Sequence, residues 1–139
     1  MSIVLRLLDL ADRARPPVKV SAHCDVPCGV YDPAQARIEA ESVQKILEKY
    51  HASTDEAFRT RCLIAKEERA ELVKHHLWVL WTDYFKPEHL EAHPDLHDLF
   101  WKATKSAGQA KQTTDLANAE TLLGLIDEIA TIFWKTKGK

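Results

Sequence analysis

The residues best suited to chemistry lie together near the amino-terminal end, between His23 and Tyr31. This stretch contains two thiols, Cys24 and Cys28, together with an imidazole and a phenol, and has too few apolar residues to form a core element. Two thiolates close together suit soft or borderline metals. Added nitrogen donors narrow the choice to zinc, copper or nickel, and a square-planar geometry would favour copper or nickel. We call residues 23–31 the hook and interpret it as a metal site.

The donors that the hook offers depend on whether the chain is cut before His23. Within an uncut chain His23 has only its imidazole and weakly donating amides. Cleavage after Ala22 would add a primary amine, so that two nitrogens and the sulfurs of Cys24 and Cys28 could lie in one plane, with the imidazole as an optional axial ligand. That set suits a d⁸ metal that cycles to d⁷, which describes Ni(II) and Ni(III). The Cys spacing alone leaves a disulfide or a chance pair open.

Length and composition predict one compact domain in a reducing compartment, which we take to be the cytoplasm. A chain of 139 residues with 45% hydrophobic residues and only 4 glycines has enough apolar content for a core. A net charge of −2 excludes a basic nucleic-acid footprint, and no apolar run is long enough to cross a membrane. Three cysteines, two of them four positions apart, make a poor framework for a secreted disulfide scaffold.

Residues 1–22 differ in character from the rest and are predicted to form a leader made of a short helix and a linker. Apolar residues recur at helical spacing and are followed by a break at Arg15-Pro16-Pro17. A secretory signal is disfavoured, because Arg6 and Asp9 interrupt the apolar stretch and the basic residues follow it. A mobile amphipathic tail stays open as an alternative. Without the leader, 15 Lys+Arg face 19 Asp+Glu, a net charge of −4.

The elements that must position the hook are helices. Start and stop signals and apolar periodicity predict an all-α fold, an antiparallel four-helix bundle with the hook at its amino-terminal end. Leu122, Leu125, Ile129, Ile132 and Trp134 widen the apolar arc of the last helix and suggest burial against another subunit. The predicted helices run from Asp32-Pro33 to about Tyr50, from the capping box of Ser53 and Glu56 to Lys86, from Pro94-Asp95 to a stop at Gly108, and from Thr114 to about Trp134.

Two charged residues fall on predicted core faces. Glu39 is in register with Val43 and Ile46 on the first helix. Arg69 occupies a core position on the second helix, on the face predicted to contain Phe58, Cys62, Ala65, Leu72, His76 and Val79. Desolvating an unpaired charge costs several kcal/mol, so each is the natural partner of the other. The alternative is that both side chains reach water.

The remaining reactive side chains are assigned no function. Cys62 lies on an apolar stripe and is interpreted as a small buried hydrophobic residue. His75 and His76 diverge on a helix, and neither is assigned a site. A zinc face formed by His89, His93 and His97 is disfavoured because Pro94 interrupts the helix between them.

The hook and several further segments resemble the nickel-containing superoxide dismutases in their precursor form. The likeness begins with His23-Cys24-Asp25-Val26-Pro27-Cys28-Gly29-Val30-Tyr31 and covers the chain from His23 to its end. It continues through Asp32-Pro33-Ala34-Gln35-Ala36-Arg37-Ile38-Glu39, Lys66-Glu67-Glu68-Arg69-Ala70-Glu71-Leu72, Trp81-Thr82-Asp83-Tyr84-Phe85-Lys86-Pro87 and Ile132-Phe133-Trp134.

The resemblance implies one nickel ion per subunit. The metal would be held by the amine of His23, the amide nitrogen and sulfur of Cys24 and the sulfur of Cys28, with the His23 imidazole as axial ligand in the oxidised state. Glu39 and Arg69 match the residues that hold that imidazole. Tyr31 would cover the open face of the metal, the Val26-Pro27 peptide would be cis, and residues matching those around the pocket are Asp25, Tyr84 and Lys86.

The resemblance also implies a reaction and an assembly. Superoxide would be disproportionated to O₂ and H₂O₂ as nickel alternates between Ni(II) and Ni(III), with protons arriving through Tyr31 and water. The bundles would assemble into a homohexamer, and a processing protease would remove residues 1–22. Lys86 is our candidate for attracting the anionic substrate. Two alternatives stay open: a carrier that holds nickel or copper without catalysis, and a helical interaction protein with a structural cysteine pair.

Overall fold

The computed structural model describes residues 29–139, so the leader and residues 23–28 of the hook lie outside the described residues. The described part of the chain folds into five α-helices and one π-helical segment, which confirms the predicted all-α class. The helices are α1 (Ala34–Ala52), α2 (Glu56–Val79), α3 (Pro87–Ala92), α4 (Leu96–Gln112) and α5 (Leu116–Thr136), and the π-helical segment Leu80–Tyr84 follows α2 directly.

The four long helices form the bundle, with α1 packed against α2 and α5, and α4 packed against α2 and α5. Neighbouring helices run in opposite directions. Lys66, in the first half of α2, bonds to Lys111 at the end of α4. Trp81, just beyond α2, packs on Phe100 near the start of α4. The predicted antiparallel bundle is therefore confirmed, with the short helix α3 as an addition.

Apolar side chains three and four residues apart make the core, as the helical period requires. On α1 the buried positions are Ala36, Ala40, Val43 and Leu47. Fully burying a large aliphatic or aromatic side chain contributes about 1.5–3 kcal/mol. The largest fully buried side chains are Phe133, Leu47, Leu77, Leu80, Leu96, Leu122, Ile126, Ile129, Val43 and Val73. None of the helices in residues 29–139 is both long and apolar enough to cross a membrane.

The second helix does not continue to Lys86 as predicted. The α-helical hydrogen bonding ends at Val79, and the chain widens into the π-helical segment before it leaves the helix at Phe85. The Phe85 amide donates to the Leu80 carbonyl over 3.1 Å. Lys86 is extended because it precedes Pro87, and Pro87 starts the unpredicted helix α3.

The prediction that Gly108 stops a helix is wrong, since α4 continues to Gln112. Buried Ala103, Ala107 and Ala110 carry the core stripe past this glycine. A glycine inside a helix costs about 1 kcal/mol relative to alanine, and the packing on both sides outweighs that cost.

Two helix starts differ from prediction by their capping residue. Asp55, and not Ser53, caps α2, because its carboxylate accepts from the amides of Ala57 and Phe58. Ser53 instead accepts from the Asp55 amide over 3.2 Å. Helix α1 begins at Ala34, one residue later than predicted, and Asp32 accepts from the Ala34 amide over 2.7 Å. In both cases a short polar side chain satisfies a free amide at the helix start.

The core faces of α2 and α5 are rotated from the predicted ones. Phe58, expected in the core, is 39% exposed. The buried face of α2 instead contains Cys62, Lys66, Ala70, Val73, Leu77 and Val79. Leu122 and Ile129, predicted to meet another subunit, are fully buried in their own bundle. That part of the wide apolar arc on α5 therefore needs no partner chain.

Lys66 is a buried charged residue that sequence periodicity does not place in the core. It is 3% exposed, and its Nζ donates to the carbonyls of Lys111 and Thr113 over 2.6 and 2.8 Å. Burial lowers the pKa of Lys66, whereas hydrogen bonds to carbonyls favour the charged form. The ammonium thus satisfies carbonyls at the carboxyl-terminal end of α4, where a cation is favourable.

Replacing Lys66 should therefore destabilise the bundle. We expect Lys66→Met, which keeps the apolar stem, to lower the free energy of unfolding by about 2–4 kcal/mol because two carbonyls lose their donor. Urea unfolding followed by circular dichroism would measure the change. Lys45→Met is the control, because Lys45 is 67% exposed and forms its ion pair with Glu48 on its own helix. Equal stability of the two variants would contradict the assigned role of Lys66.

Candidate metal centre

The described chain starts at the exit of the hook. His23, Cys24, Asp25 and Cys28, and the predicted cis peptide before Pro27, lie outside the described residues. Gly29 has a φ of +73°, a backbone conformation that side-chain-bearing residues rarely adopt. The chain thus turns sharply one residue after Cys28.

Tyr31 ties the end of the hook to α2. A hydrogen bond joins its hydroxyl to Nδ1 of His76, and the two rings lie 5.9 Å apart. The pKa of Tyr31 is raised, first by partial burial and then by the negative charges of Asp32 and Asp83. The phenol therefore stays protonated at neutral pH and can hold a proton next to the hook.

His76 is a candidate residue of the metal centre to which the sequence alone assigns no function. It lies seven residues after Arg69 on α2. Seven residues are close to two full turns, so the two side chains share one face about 10 Å apart along the helix. This seven-residue spacing is the sequence signal for His76. It identifies His76 as a site residue only if Tyr31 is already known to contact α2.

Glu39 and Arg69 form the ion pair that their helical register predicts. Arg69 Nη1 lies 3.2 Å from Oε2 and 3.4 Å from Oε1 of Glu39. The Glu39 side chain is 17% exposed and that of Arg69 is 37% exposed. A pair this close to solvent contributes about 1 kcal/mol or less to stability. Its clearest structural effect is to fix a carboxylate and a guanidinium between α1 and α2.

A cavity adjoins the hook at the end of the bundle where α5 finishes. It is lined by Gly29, Val30, Tyr31, Asp32, Phe133, Trp134, Lys137 and Lys139. Tyr84 packs behind this wall, its ring 4.3 Å from that of Phe133 and its hydroxyl 2.6 Å from Thr136 Oγ1. Tyr84 and the cavity wall are thus linked through Phe133, and the role of Tyr84 in the pocket stays a prediction.

Lys86 is placed differently from the two tyrosines. It is exposed, directly before α3, where its backbone amide donates to Nδ1 of His89 over 3.1 Å. It is not one of the residues that line the cavity beside Tyr31. The structure therefore groups Tyr31 with Tyr84 through Phe133 and leaves Lys86 outside the cavity wall.

The other candidate ligands do not converge. Helix α3 ends at Ala92 and α4 begins at Leu96, which confirms that the chain breaks at Pro94 between His93 and His97. Residues 29–139 contain no cluster of three or more His, Cys, Asp or Glu side chains that could hold a metal. Cys62 is 6% exposed, as expected for a small buried residue.

Comparison with known sequences identifies one family. The family model of nickel-containing superoxide dismutase matches residues 18–137. A superoxide dismutase [Ni] from Streptomyces seoulensis is 59% identical over 122 residues, which cover 88% of this chain and 93% of the relative. A superoxide dismutase [Ni] from Streptomyces coelicolor is 55% identical over 122 residues, which again cover 88% of this chain and 93% of the relative.

Solved structures agree with the sequence comparison. A native nickel superoxide dismutase structure superposes with a TM-score of 0.82 at 53% identity, covering 84% of this chain and 100% of that one. A structure with nickel ligation corresponding to the oxidised state gives a TM-score of 0.81 at 56% identity, with the same coverage. Because a family model spans most of the chain and the relatives share more than half of their residues with it, this chain belongs to the nickel-containing superoxide dismutase family.

Proposed function

We propose that this chain is a superoxide dismutase whose hook holds one nickel ion per subunit after residues 1–22 are removed. The reaction consumes two superoxide anions and two protons and yields one O₂ and one H₂O₂. The observation that carries the proposal is the start of the described chain. The turn at Gly29 follows Cys28 directly in the sequence, and the protonated Tyr31 lies three residues after Cys28.

The donor chemistry of the hook fits nickel. The residues that would hold the metal are His23, through its amine and imidazole, Cys24, through its amide nitrogen and sulfur, and Cys28, through its sulfur. Thiolate sulfur with nitrogen donors suits a borderline metal in a tetragonal site. When bound, nickel would supply one-electron redox chemistry between its divalent and trivalent states. The sharp turn at Gly29 supports this assignment by directing the chain back immediately after the last ligand.

Tyr31 is proposed to hold the proton that peroxide formation requires. Its raised pKa keeps the phenol neutral, and its hydrogen bond to His76 holds the phenol oxygen in place; in the tautomer whose Nδ1 donates, the phenol keeps its proton for an anion. A neutral phenol at the exit of the hook can donate a hydrogen bond to an oxygen anion without adding negative charge. The same ring, packed between the hook exit and α2, would restrict the space open to larger anions.

Glu39 and Arg69 are proposed to hold the His23 imidazole. A carboxylate that accepts from one ring nitrogen orients the other toward the metal, and the guanidinium fixes the carboxylate. The 3.2 Å ion pair between α1 and α2 supports this arrangement. Asp25 and Lys86 are assigned to the surroundings of the pocket on resemblance, and the packing of Tyr84 behind Phe133 supports its place there.

Removal of residues 1–22 by a processing protease is part of the proposal, because the amine ligand requires His23 to be the first residue of domain 23–139. The solved native structure matches 84% of this chain, or about 117 residues, which is the length from residue 23 to residue 139. This agreement supports a mature chain that begins at His23. In the uncut chain the hook would be a latent site.

A homohexamer in the cytoplasm is the proposed assembly and location. Large apolar side chains remain on the surface of the described bundle, with Trp101 and Ile64 exposed by 56% and 58%. Exposed apolar groups of this size favour contact with another chain. The reducing compartment follows from the two thiols that the hook must keep reduced. Superoxide is the proposed substrate, and neither a membrane nor a nucleic acid is proposed as a partner.

A metal carrier without catalysis is the alternative function. It would need the two thiolates but not a proton donor or an oriented imidazole. The hydrogen bond between Tyr31 and His76 and the ion pair between Glu39 and Arg69 favour the enzyme, because a carrier has no use for either.

Trimming the chain tests the enzyme against the carrier. We expect the chain starting at His23, loaded with nickel, to remove superoxide with a kcat/KM of about 10⁸ M⁻¹s⁻¹, and the uncut chain to be slower by about 100-fold or more. Electron paramagnetic resonance of the trimmed form should show an oxidised nickel signal with axial nitrogen. Removing nickel with a chelator should abolish both. A trimmed chain that binds nickel but leaves superoxide untouched would establish the carrier instead.

Replacing Arg69 tests the role of the ion pair. Arg69→Ala should leave nickel bound but loosen the His23 imidazole, weakening the axial nitrogen splitting and lowering kcat by about tenfold. Arg69→Lys should restore part of both. Arg37→Ala is the matched control, because Arg37 pairs with exposed Glu41 and Asp127 on α1 and α5. Unchanged splitting and kinetics in Arg69→Ala would refute the orienting role.

The protonation of Tyr31 is measurable by ultraviolet titration of the metal-free chain. Wild type minus Tyr31→Phe should show one phenol ionising above the ordinary value of 10. Because the folded pKa is raised, the contribution of Tyr31 to stability should be present below pH 10 and be lost as the pH rises above it. A difference titration centred at or below pH 10 would show that the phenol is not held neutral.

A further inference from the structure

We propose that Lys137 and Lys139 attract superoxide to the cavity at the exit of the hook. This inference rests on the proposed function, since it concerns how the anionic substrate reaches that site. The two lysines lie just beyond α5, so they reach the hook from the opposite end of the chain.

Both lysines are part of the cavity wall. Lys137 and Lys139 line the cavity together with residues 29–32, the segment that follows Cys28 directly. Consecutive Cα atoms are about 3.8 Å apart, so the cavity begins one residue from a proposed nickel ligand. An anion drawn into this cavity would therefore be delivered to the hook.

Aromatic faces hold the two lysines in place. Nζ of Lys137 lies 5.0 Å from the centroid of the Tyr84 ring and 5.7 Å from that of Phe133. Nζ of Lys139 lies 5.0 Å from the centroid of the Trp134 ring. Such contacts position a cation without neutralising it. No carboxylate within residues 29–139 forms an ion pair with either lysine, so their charge is available to a substrate.

The overall charge makes a local positive field necessary. Without the leader the chain carries 15 basic and 19 acidic residues and repels an anion at long range. Within the cavity wall two lysines face one carboxylate, that of Asp32, while Asp83 acts on Tyr31 from outside the wall. At 0.15 M ionic strength charges act over about 8 Å, so lysines in the wall itself are better placed to guide an anion than charges elsewhere on the surface. Exposed Lys86 lies outside this wall. A carboxylate at the chain terminus would offset Lys139 alone, so we expect Lys137 to have the larger effect.

The kinetic test removes both charges from the trimmed, nickel-loaded protein. We expect Lys137→Gln/Lys139→Gln to lower kcat/KM for superoxide by about threefold to tenfold at low ionic strength. The difference should vanish near 1 M salt, where charges act over only about 3 Å. Lys137→Arg should keep the wild-type rate, because it preserves the cation.

A matched control separates local attraction from net charge. Lys45→Gln/Lys49→Gln also removes two positive charges, from the second half of α1, about 16 and 22 Å from the start of that helix by helical rise. We expect this variant to retain the wild-type salt dependence. An equal loss of rate in the control would overturn the proposal, since net charge alone would then explain the effect.

A second readout needs neither nickel nor turnover. Paired anionic and cationic nitroxide probes, added to the metal-free chain, report the local potential through their unequal relaxation of amide protons in nuclear magnetic resonance. The anionic probe should dominate at Trp134, and this excess should be lost in Lys137→Gln/Lys139→Gln. Equal relaxation by both probes in the wild type would overturn the proposal and leave the lysines as complements of the α5 dipole. Absence of dismutation in the wild type would instead refute the proposed function, while the probe result would still decide the charge field.

Discussion

The hydrogen bond between Tyr31 and His76 joins the chain that leaves the hook to the carboxyl-terminal half of α2. Gly29 and the exposed Val30 precede this contact, and the start of α1 follows it. The ion pair of Glu39 and Arg69 lies two turns away on the same helical seam. Both contacts depend on the close packing of α1 against α2. That packing in turn depends on small or compact buried side chains, of which Ala40 and Ala70 are examples.

Two cations of α2, Lys66 and Arg69, lie where the neighbouring helices offer a hydrogen-bond acceptor. Lys66 is almost fully buried because two carbonyls at the end of α4 receive its ammonium. Arg69 remains partly exposed and meets a carboxylate instead. The difference follows from the cost of desolvation, which is recovered only when the partner groups are fixed in advance. A helix face can therefore contain a charge and still pack against its neighbours. The predicted apolar face of α2 is wrong because the buried face includes the charged residue Lys66.

The sequence predicted much of the fold because its strongest signals are local. Apolar spacing identified the four long helices, and the register of Glu39 and Arg69 predicted their contact. Contacts that depend on tertiary packing were not predictable in the same way. The pairing of Tyr31 with His76 depends on how the chain turns at Gly29, and the position of Lys137 depends on where α5 ends relative to the hook. The prediction that Gly108 ends a helix is wrong because the local helix-breaking preference of glycine is weaker than the core contacts around it.

The π-helical segment Leu80–Tyr84 has a consequence for how this region tolerates insertions and deletions. A π turn holds one residue more than an α turn, so the extra residue is absorbed within one turn. Helix α2 keeps its buried face before the turn, and Tyr84 faces Phe133 after it. Deleting one residue here would restore α-helical geometry and leave the residues beyond the turn close to their present orientation, whereas the same deletion inside a regular α turn would rotate them by about 100°. This turn can thus lose one residue at a smaller cost to the packing beyond it than any turn of α2.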